Sequence, residues 1–200
     1  MAKARKKTAP GRNSGRGRAS QLRIIGGIWR GRRLSFPESA ALRPTPDRVR
    51  ETLFNWLQPW IAGAHCLDLF AGSGALGLEA LSRGAAQVVL LEQDAAVAQC
   101  LRDSVYKLQA QAADLIHTDA VRYLQGPARP FDIIFLDPPF QSDLLDRCFG
   151  LLEKQQWIKP GGLVYIENLK TAPELVLPGS WRLLRTKSAG QVSYHLARKT

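Results

Sequence analysis

Apolar residues recur along this chain in two alternating rhythms. Short, nearly continuous apolar runs occupy Ala64 to Leu69, Gln87 to Glu92, Asp114 to His117, Phe131 to Leu136 and Gly162 to Glu167. Runs of this length, bounded by turn residues, read as strands, and the most apolar of them as strands buried on both faces. Between them lie stretches of helical character: Ala75 to Leu81, Asp94 to Leu108, a start at Thr118-Asp119-Ala120, and Leu144 to Gln155. Trp181 to Arg185 and Gln191 to Leu196 then pair as a terminal hairpin with Gly190 in its turn. Strands alternating with helices, closed by a β pair, describe an α/β doubly wound sheet.

Upstream of the first buried run, Arg43 to Leu57 opens with helix-start chemistry. Thr45 is a candidate N-cap, Pro46 stands at the first helical position and Asp47 in the first turn. Val49, Leu53, Phe54, Trp56 and Leu57 supply an apolar face, and Pro59 and Gly63 end it. Leu22 to Pro37 carries two short β-rich runs around glycines, which predicts a small hairpin ahead of the main domain. Residues 1–20, rich in Lys, Arg, Gly and Ala, are expected to be disordered alone. The expected organisation is a basic tail (1–20), a β-hairpin extension (21–42) and the main domain (43–200).

Charge adds a partner to this picture. The formal net charge is +11, and residues 1–33 hold eleven Lys or Arg with no acid, so residues 34–200 carry as many acids as bases. Such a block marks contact with nucleic acid or another anionic surface through phosphate neutralisation. Arg23, Arg30, Arg32, Arg33, Arg43 and Arg48 are the candidate phosphate contacts. Trp29 beside them either stacks on a base or anchors the hairpin to the body. The three cysteines, Cys66, Cys100 and Cys148, give neither a disulfide framework nor metal-ligand spacing, so no metal is expected. With no signal peptide and no membrane-length apolar run, the chain reads as soluble and cytoplasmic, without membrane contact.

Two segments carry chemistry. The first is Leu67-Asp68-Leu69-Phe70-Ala71-Gly72-Ser73-Gly74-Ala75-Leu76-Gly77, a buried run that ends in a glycine turn and leads into a helix. Backbone N–H groups and the helix start are expected to face one ligand there, with Gly72 and Gly74 letting it lie on the backbone. The pattern G-x-G-x-x-G, with Glu92 20 residues beyond Gly72, also fits a dinucleotide site. Asp68, however, sits at the strand's carboxyl end, where it would repel a pyrophosphate and attract a cation. The run resembles motif I of S-adenosylmethionine-dependent methyltransferases, whose cofactor has a cationic amino-acid end. Glu92, at its own strand end, is placed to accept from ribose hydroxyls, and Asp119 from an adenine amine or from its own helix as an N-cap.

The second segment is Asp137-Pro138-Pro139-Phe140, directly after the apolar run 131–136. Successive prolines force an extended backbone and set the Asp137 side chain beside the Pro138 carbonyl. Two acceptors so placed suit an exocyclic amine, and Phe140 is positioned to stack on the ring that bears it. This is catalysis by positioning and electrostatics.

Taken together, Arg23 to Arg32, Arg48 to Leu57, the Asp68–Gly77 loop, Asp137 to Phe140 and Gly190-Gln191-Val192 closely resemble the RsmD family of bacterial 16S ribosomal RNA guanine-N2 methyltransferases. The resemblance runs from about Leu22 to Leu196. It implies a mostly parallel seven-stranded sheet of the class I S-adenosylmethionine-dependent methyltransferase type, with the small N-terminal β-hairpin extension. It implies methyl transfer from S-adenosylmethionine to the N2 amine of one guanine in 16S rRNA, within the 30S subunit or an assembly intermediate, by an enzyme expected to be a monomer. By position Asp68, Gly72 and Gly74 would serve the cofactor's amino-acid end, Glu92 its ribose and Asp119 its adenine, with Phe70 and Ala120 alongside. Asp137, Pro138, Pro139 and Phe140 would receive the guanine. The rival readings are a DNA adenine-N6 or cytosine-N4 methyltransferase, a nicotinamide dehydrogenase, and a non-catalytic RNA-binding assembly protein.

Overall fold

The seven strands of the main sheet run in the order β5-β4-β3-β6-β7-β9-β8 in a computed structural model that describes residues 19–37, 44–139 and 143–200. These strands are β3 (His65–Asp68), β4 (Gln87–Glu92), β5 (Ala113–His117), β6 (Phe131–Leu136), β7 (Ile158–Leu169), β8 (Trp181–Ala189) and β9 (Val192–Lys199). The first five in spatial order are parallel, whereas β9 runs antiparallel to both β7 and β8. The chain leaves β3 in one direction to build β4 and β5, then returns to β3's other side with β6. The switch point of the sheet is therefore between β3 and β6, where open α/β sheets bind ligands at the carboxyl ends of their strands.

Helices cover both faces. α1 (Asp47–Leu57), α2 (Gly77–Ser82) and α3 (Ala95–Leu108) lie on one side, and α4 (Ala120–Leu124) and α5 (Leu144–Lys154) on the other. This double covering explains why β4 and β6 read as unbroken apolar runs: Val88 to Leu91 and Ile133 to Leu136 are completely buried. The expected helices and strands are all present. β7 is longer than Gly162 to Glu167, because Pro160 and Gly161 form an irregular stretch of the strand, where its register on β6 shifts, instead of a turn.

The amino-terminal extension is part of the body. β1 (Ala19–Arg23) and β2 (Arg33–Pro37) pair from Ala19↔Pro37 to Arg23↔Arg33, so the hairpin begins two residues before the expected boundary at 21. Leu22, Ile24, Leu34 and Phe36 are buried in the core shared by α1, α2 and α3. The link between the strands is pinned to α2. The Ile25 amide donates to Glu79 Oε2 at 2.9 Å, the Trp29 amide to Ser82 Oγ at 3.0 Å, and Ser82 Oγ to the Gly26 carbonyl at 2.5 Å. Gly27 makes this approach possible: at φ +71°, a Cβ there would lie 1.7 Å from the Ser82 carbonyl oxygen. Residues 1–18 of the expected tail, together with Arg43 and Phe140, lie outside the described residues.

One helix-start expectation is corrected. Pro46 stands at the cap of α1, which begins at Asp47, and no side chain caps it. Thr45 stands one residue outside the cap position, and its buried hydroxyl donates inward to Asp137 Oδ2 at 3.4 Å.

Candidate active site

Four carboxylates gather at the carboxyl ends of neighbouring strands: Glu92 (β4), Asp68 (β3), Asp137 (just after β6) and Glu167 (β7). Asp119 stands beyond β5, at the start of α4. Asp68 and Asp137 flank the switch point itself, since Asp68 pairs in register with Phe135, two residues before Asp137.

Asp68 is buried, with Oδ2 accepting the Gly77 amide at 3.0 Å and the Phe70 amide as a second donor. Burial pushes its carboxyl up to about 7, and the nearby Glu92 charge adds to the rise, against the opposing pull of those two amides. Glu92 accepts the Gly72 amide at 2.9 Å on one oxygen and the Asp94 amide at 2.7 Å on the other. Each oxygen keeps a further lone pair, so the carboxylate can still take two hydroxyls. Asp119 does cap its helix, accepting the Arg122 amide at 2.9 Å on Oδ1. Phe70 is half-buried against the core, and Ala120 is the buried first residue of α4.

The glycine loop is braced from within. The Gly72 amide is spent on Glu92, Gly77 on Asp68, Gly74 on the Ala71 carbonyl and Leu78 on the Gly74 carbonyl. Gly74 and Gly77 also stand where a side chain would crowd the core. A Cβ at Gly74 would meet Leu101 Cδ1 at 2.6 Å, and one at Gly77 would meet Leu90 Cδ2 at 2.2 Å. A loop whose amides are claimed by two carboxylates has little to offer a pyrophosphate. A row of acids at the strand ends instead favours a cation and hydroxyls. That donor set fits S-adenosylmethionine: Asp68 for its cationic end, Glu92 for its ribose, and the second lone pairs of Asp119 for its adenine amine.

Beyond the switch point, Asp137 is held by Thr45, and Pro138 is buried behind it while Pro139 is exposed. Burial holds the Asp137 carboxyl well above the usual carboxylate range, and the Glu167 and Asp68 charges push it further. Glu167, itself raised by burial, accepts from Tyr165 Oη at 2.7 Å and from the Thr45 hydroxyl. Tyr165 and Glu167 were not among the sequence candidates for the site, whereas Thr45 was legible as part of a polar helix start able to border one. An acid closing an apolar strand, the same signal that marked Glu92, was available for Glu167.

The basic candidates divide. Arg30, Arg32 and Arg33 are exposed at the end of the hairpin, and Arg48 is exposed on α1; none has an ion-pair partner among the described residues. Arg23 is paired with Asp47 at 2.8 Å. The half-buried Trp29 packs against the core, as its reading as an anchor expects. A residue the sequence did not single out joins these parts. The buried Arg50 donates to the Arg23 carbonyl at 2.8 Å, the Thr45 carbonyl at 3.2 Å, Asp47 Oδ1 at 2.5 Å and Glu79 Oε2 at 3.3 Å.

Comparison with known proteins agrees with this architecture. Residues 22–198 match the family model described as Conserved hypothetical protein 95. The chain is 50% identical over 178 residues to ribosomal RNA small subunit methyltransferase D of Escherichia coli K12, covering 89% of this chain and 90% of that one. It is 47% identical over 180 residues to the protein of the same name from Haemophilus influenzae, covering 88% and 93%. A solved Escherichia coli structure, the putative methyltransferase yhhF, superposes with a TM-score of 0.84 at 49% identity, covering 90% of this chain and 98% of that one. The chain belongs to the ribosomal RNA small subunit methyltransferase D family, with the S-adenosylmethionine-dependent methyltransferase fold.

Proposed function

We propose that the protein transfers a methyl group to the exocyclic N2 amine of one guanine in 16S rRNA, in the 30S subunit or an assembly intermediate. The observation that carries this is Asp137. It is an acceptor fixed by Thr45 at the mouth of β6, across the switch point from Asp68, with Pro138 and Pro139 setting the chain after it. S-adenosylmethionine, when bound, supplies a methyl on a positively charged sulfur.

N2 of guanine is a poor nucleophile because its lone pair is delocalised into the ring. Asp137, accepting an N–H, returns electron density to the nitrogen and fixes its direction. An amine that accepts a methyl group would carry positive charge, and the acids Asp68, Asp137 and Glu167 are placed to stabilise it in a site largely withdrawn from water. Because its proton affinity is raised, Asp137 is well suited to take the surplus proton afterwards, with Glu167 and Tyr165 behind it. A guanine in folded RNA reaches this corner only if it is splayed out, and the exposed arginines Arg30, Arg32 and Arg33 offer the rest of the RNA a phosphate contact elsewhere on the molecule. Arg43 and Phe140 keep their sequence-based assignments, to phosphate and to stacking.

The test is transfer of radiolabelled methyl to unmodified 30S subunits, naked 16S rRNA and duplex DNA, followed by digestion to nucleosides. N2-methylguanosine from the RNA, lost in Asp137→Ala, is the expected result. Label in DNA adenine or cytosine, or undiminished label in Asp137→Ala, refutes the reading.

A further inference from the structure

The family-like segment Gly190-Gln191-Val192 has no role in the chemistry above. It forms the turn of the β8–β9 hairpin, which closes at the pair Ala189↔Val192 with Gly190 at φ +60°. Because β9 is antiparallel to β7, this turn lies at the end of the sheet where the parallel strands finish. Between it and α1 is a groove of about 450 Å³, lined by Arg48 and Thr52 on one side and Lys187, Ser188, Gly190 and Tyr194 on the other.

The groove adjoins the Asp137 corner. Tyr194 sits opposite Glu167 in register, and its ring lies 6.5 Å from that of Tyr165, whose hydroxyl binds Glu167. Arg48 follows Thr45 by three residues. Arg48 and Lys187 are the charged lining residues, and neither has an ion-pair partner among the described residues. Of the two acids on α1, Asp47 is already engaged by Arg23 and Arg50, and Glu51 is exposed and forms no ion pair with Arg48. The buried Tyr194, braced against Trp56 at 5.5 Å between ring centroids, gives the groove a rigid floor. At Gly190 a Cβ would meet nothing within 4 Å, so the rim is bare backbone open to another chain. Cations without ion-pair partners above a rigid floor, beside a side-chain-free rim, are features with which proteins hold a nucleic-acid backbone.

We infer that this groove holds the nucleotide adjoining the target guanosine, with its phosphate between Arg48 and Lys187. The inference rests on the methyl-transfer reading for the identity of the neighbouring base, but not for the groove's affinity for RNA. It supplies what the carboxylate corner lacks. A splayed base has one end in an acidic pocket and must be tethered through its backbone close by if its amine is to be aligned. The hairpin arginines, on the α2 side of the molecule, are a separate contact.

The experiment uses the full chain with Arg48→Ala, Lys187→Ala, the double variant, and Lys107→Ala as a control at the far end of α3. Binding to unmodified 30S subunits is measured across a salt series, and methyl transfer under steady-state conditions. Each groove variant is expected to lower the slope of log K against log salt by about 1, and the double variant by about 2. The KM for 30S is expected to rise roughly tenfold in the double variant, with kcat changed by less than the change in KM. Thermal stability and S-adenosylhomocysteine affinity should stay as in wild type, and the control should keep the wild-type slope. An unchanged slope and KM in the double variant overturns the groove, even if wild type methylates guanine N2. A reduced slope with no label in any RNA upholds the groove and overturns the methyl-transfer reading. Failure of wild type to bind 30S overturns both.

Discussion

Replacing Arg50 by methionine removes a buried charge and keeps an unbranched apolar stem in its place. Arg50 and Glu79 are both without solvent exposure, and Glu79 is also bound by Arg83 Nε at 2.7 Å and by the Ile25 amide. Breaking a buried pair from one side costs about 3–5 kcal/mol, because the remaining charge stays in a low-dielectric site. Arg83 still faces Glu79, which places the expected loss near the lower figure, about 3 kcal/mol. For a domain of this size that is a fall in Tm of roughly 6–12 °C. The double variant Arg50→Met/Glu79→Met removes both charges, and so is expected to lose less than the sum of the two single losses. Urea unfolding at constant m-value measures all three. A loss below about 1 kcal/mol in Arg50→Met, or strict additivity in the double variant, would refute the reasoning. Arg50 also holds the Thr45 carbonyl, and the Thr45 hydroxyl holds Asp137. The folded variant should therefore show a lower kcat as well.

Asp68 gives a pH dependence with a definite sign. Its folded-state value near 7 lies above the unfolded one, so its ionisation costs stability above pH 7, and this cost is relieved as pH falls toward 4. A ligand ammonium group beside Asp68 favours the ionised form, so S-adenosylhomocysteine affinity should fall up to about tenfold per unit below pH 7 by calorimetry, and a flat profile in wild type would refute the pairing. Glu167→Gln removes a neighbouring charge that raises Asp137, and the acidic limb of kcat/KM should move to lower pH; a limb that stays in place would remove Glu167 from the site's electrostatics. Gly27→Ala would force a Cβ into the Ser82 carbonyl at positive φ, with an expected loss of more than about 2 kcal/mol in urea, whereas Gly190→Ala meets no neighbour and should lose less.

What the sequence discloses is what local pattern controls. Buried strands show as apolar runs because both faces of each are covered, and Asp119 shows as a helix cap because capping needs only neighbours in sequence. Thr45 misleads for the opposite reason. Its surroundings in sequence suit a cap, but its hydroxyl answers to a carboxylate 92 positions away. Gly74 and Gly77 are legible as necessary glycines, yet the cause of the necessity, Leu101 and Leu90 in other elements, is visible only in the fold. Arg50 and Glu79 pass as the polar side of two helices. A charge set among apolar residues, as Glu79 is between Leu78 and Ala80, is the faint signal that one of them is buried.

The charge distribution carries the proposed specificity one step further. The acids stand at the strand ends, and the unpaired cations Arg48 and Lys187 stand outside them. An RNA strand laid across this surface meets attraction at its phosphates only on the rim, and repulsion wherever a phosphate approaches Asp68, Asp137 or Glu167. The group that can enter the centre is one that offers N–H donors and can accept positive charge, which describes an exocyclic amine and excludes a ribose-phosphate. Selection of the reacting atom is then built into where each sign of charge is allowed to sit. Asp137→Lys should accordingly do more than remove an acceptor: it should draw phosphate into the corner, tightening RNA binding while abolishing methyl transfer. A variant that lost both affinity and activity in the folded state would show that the inner acids do not sort charge in this way.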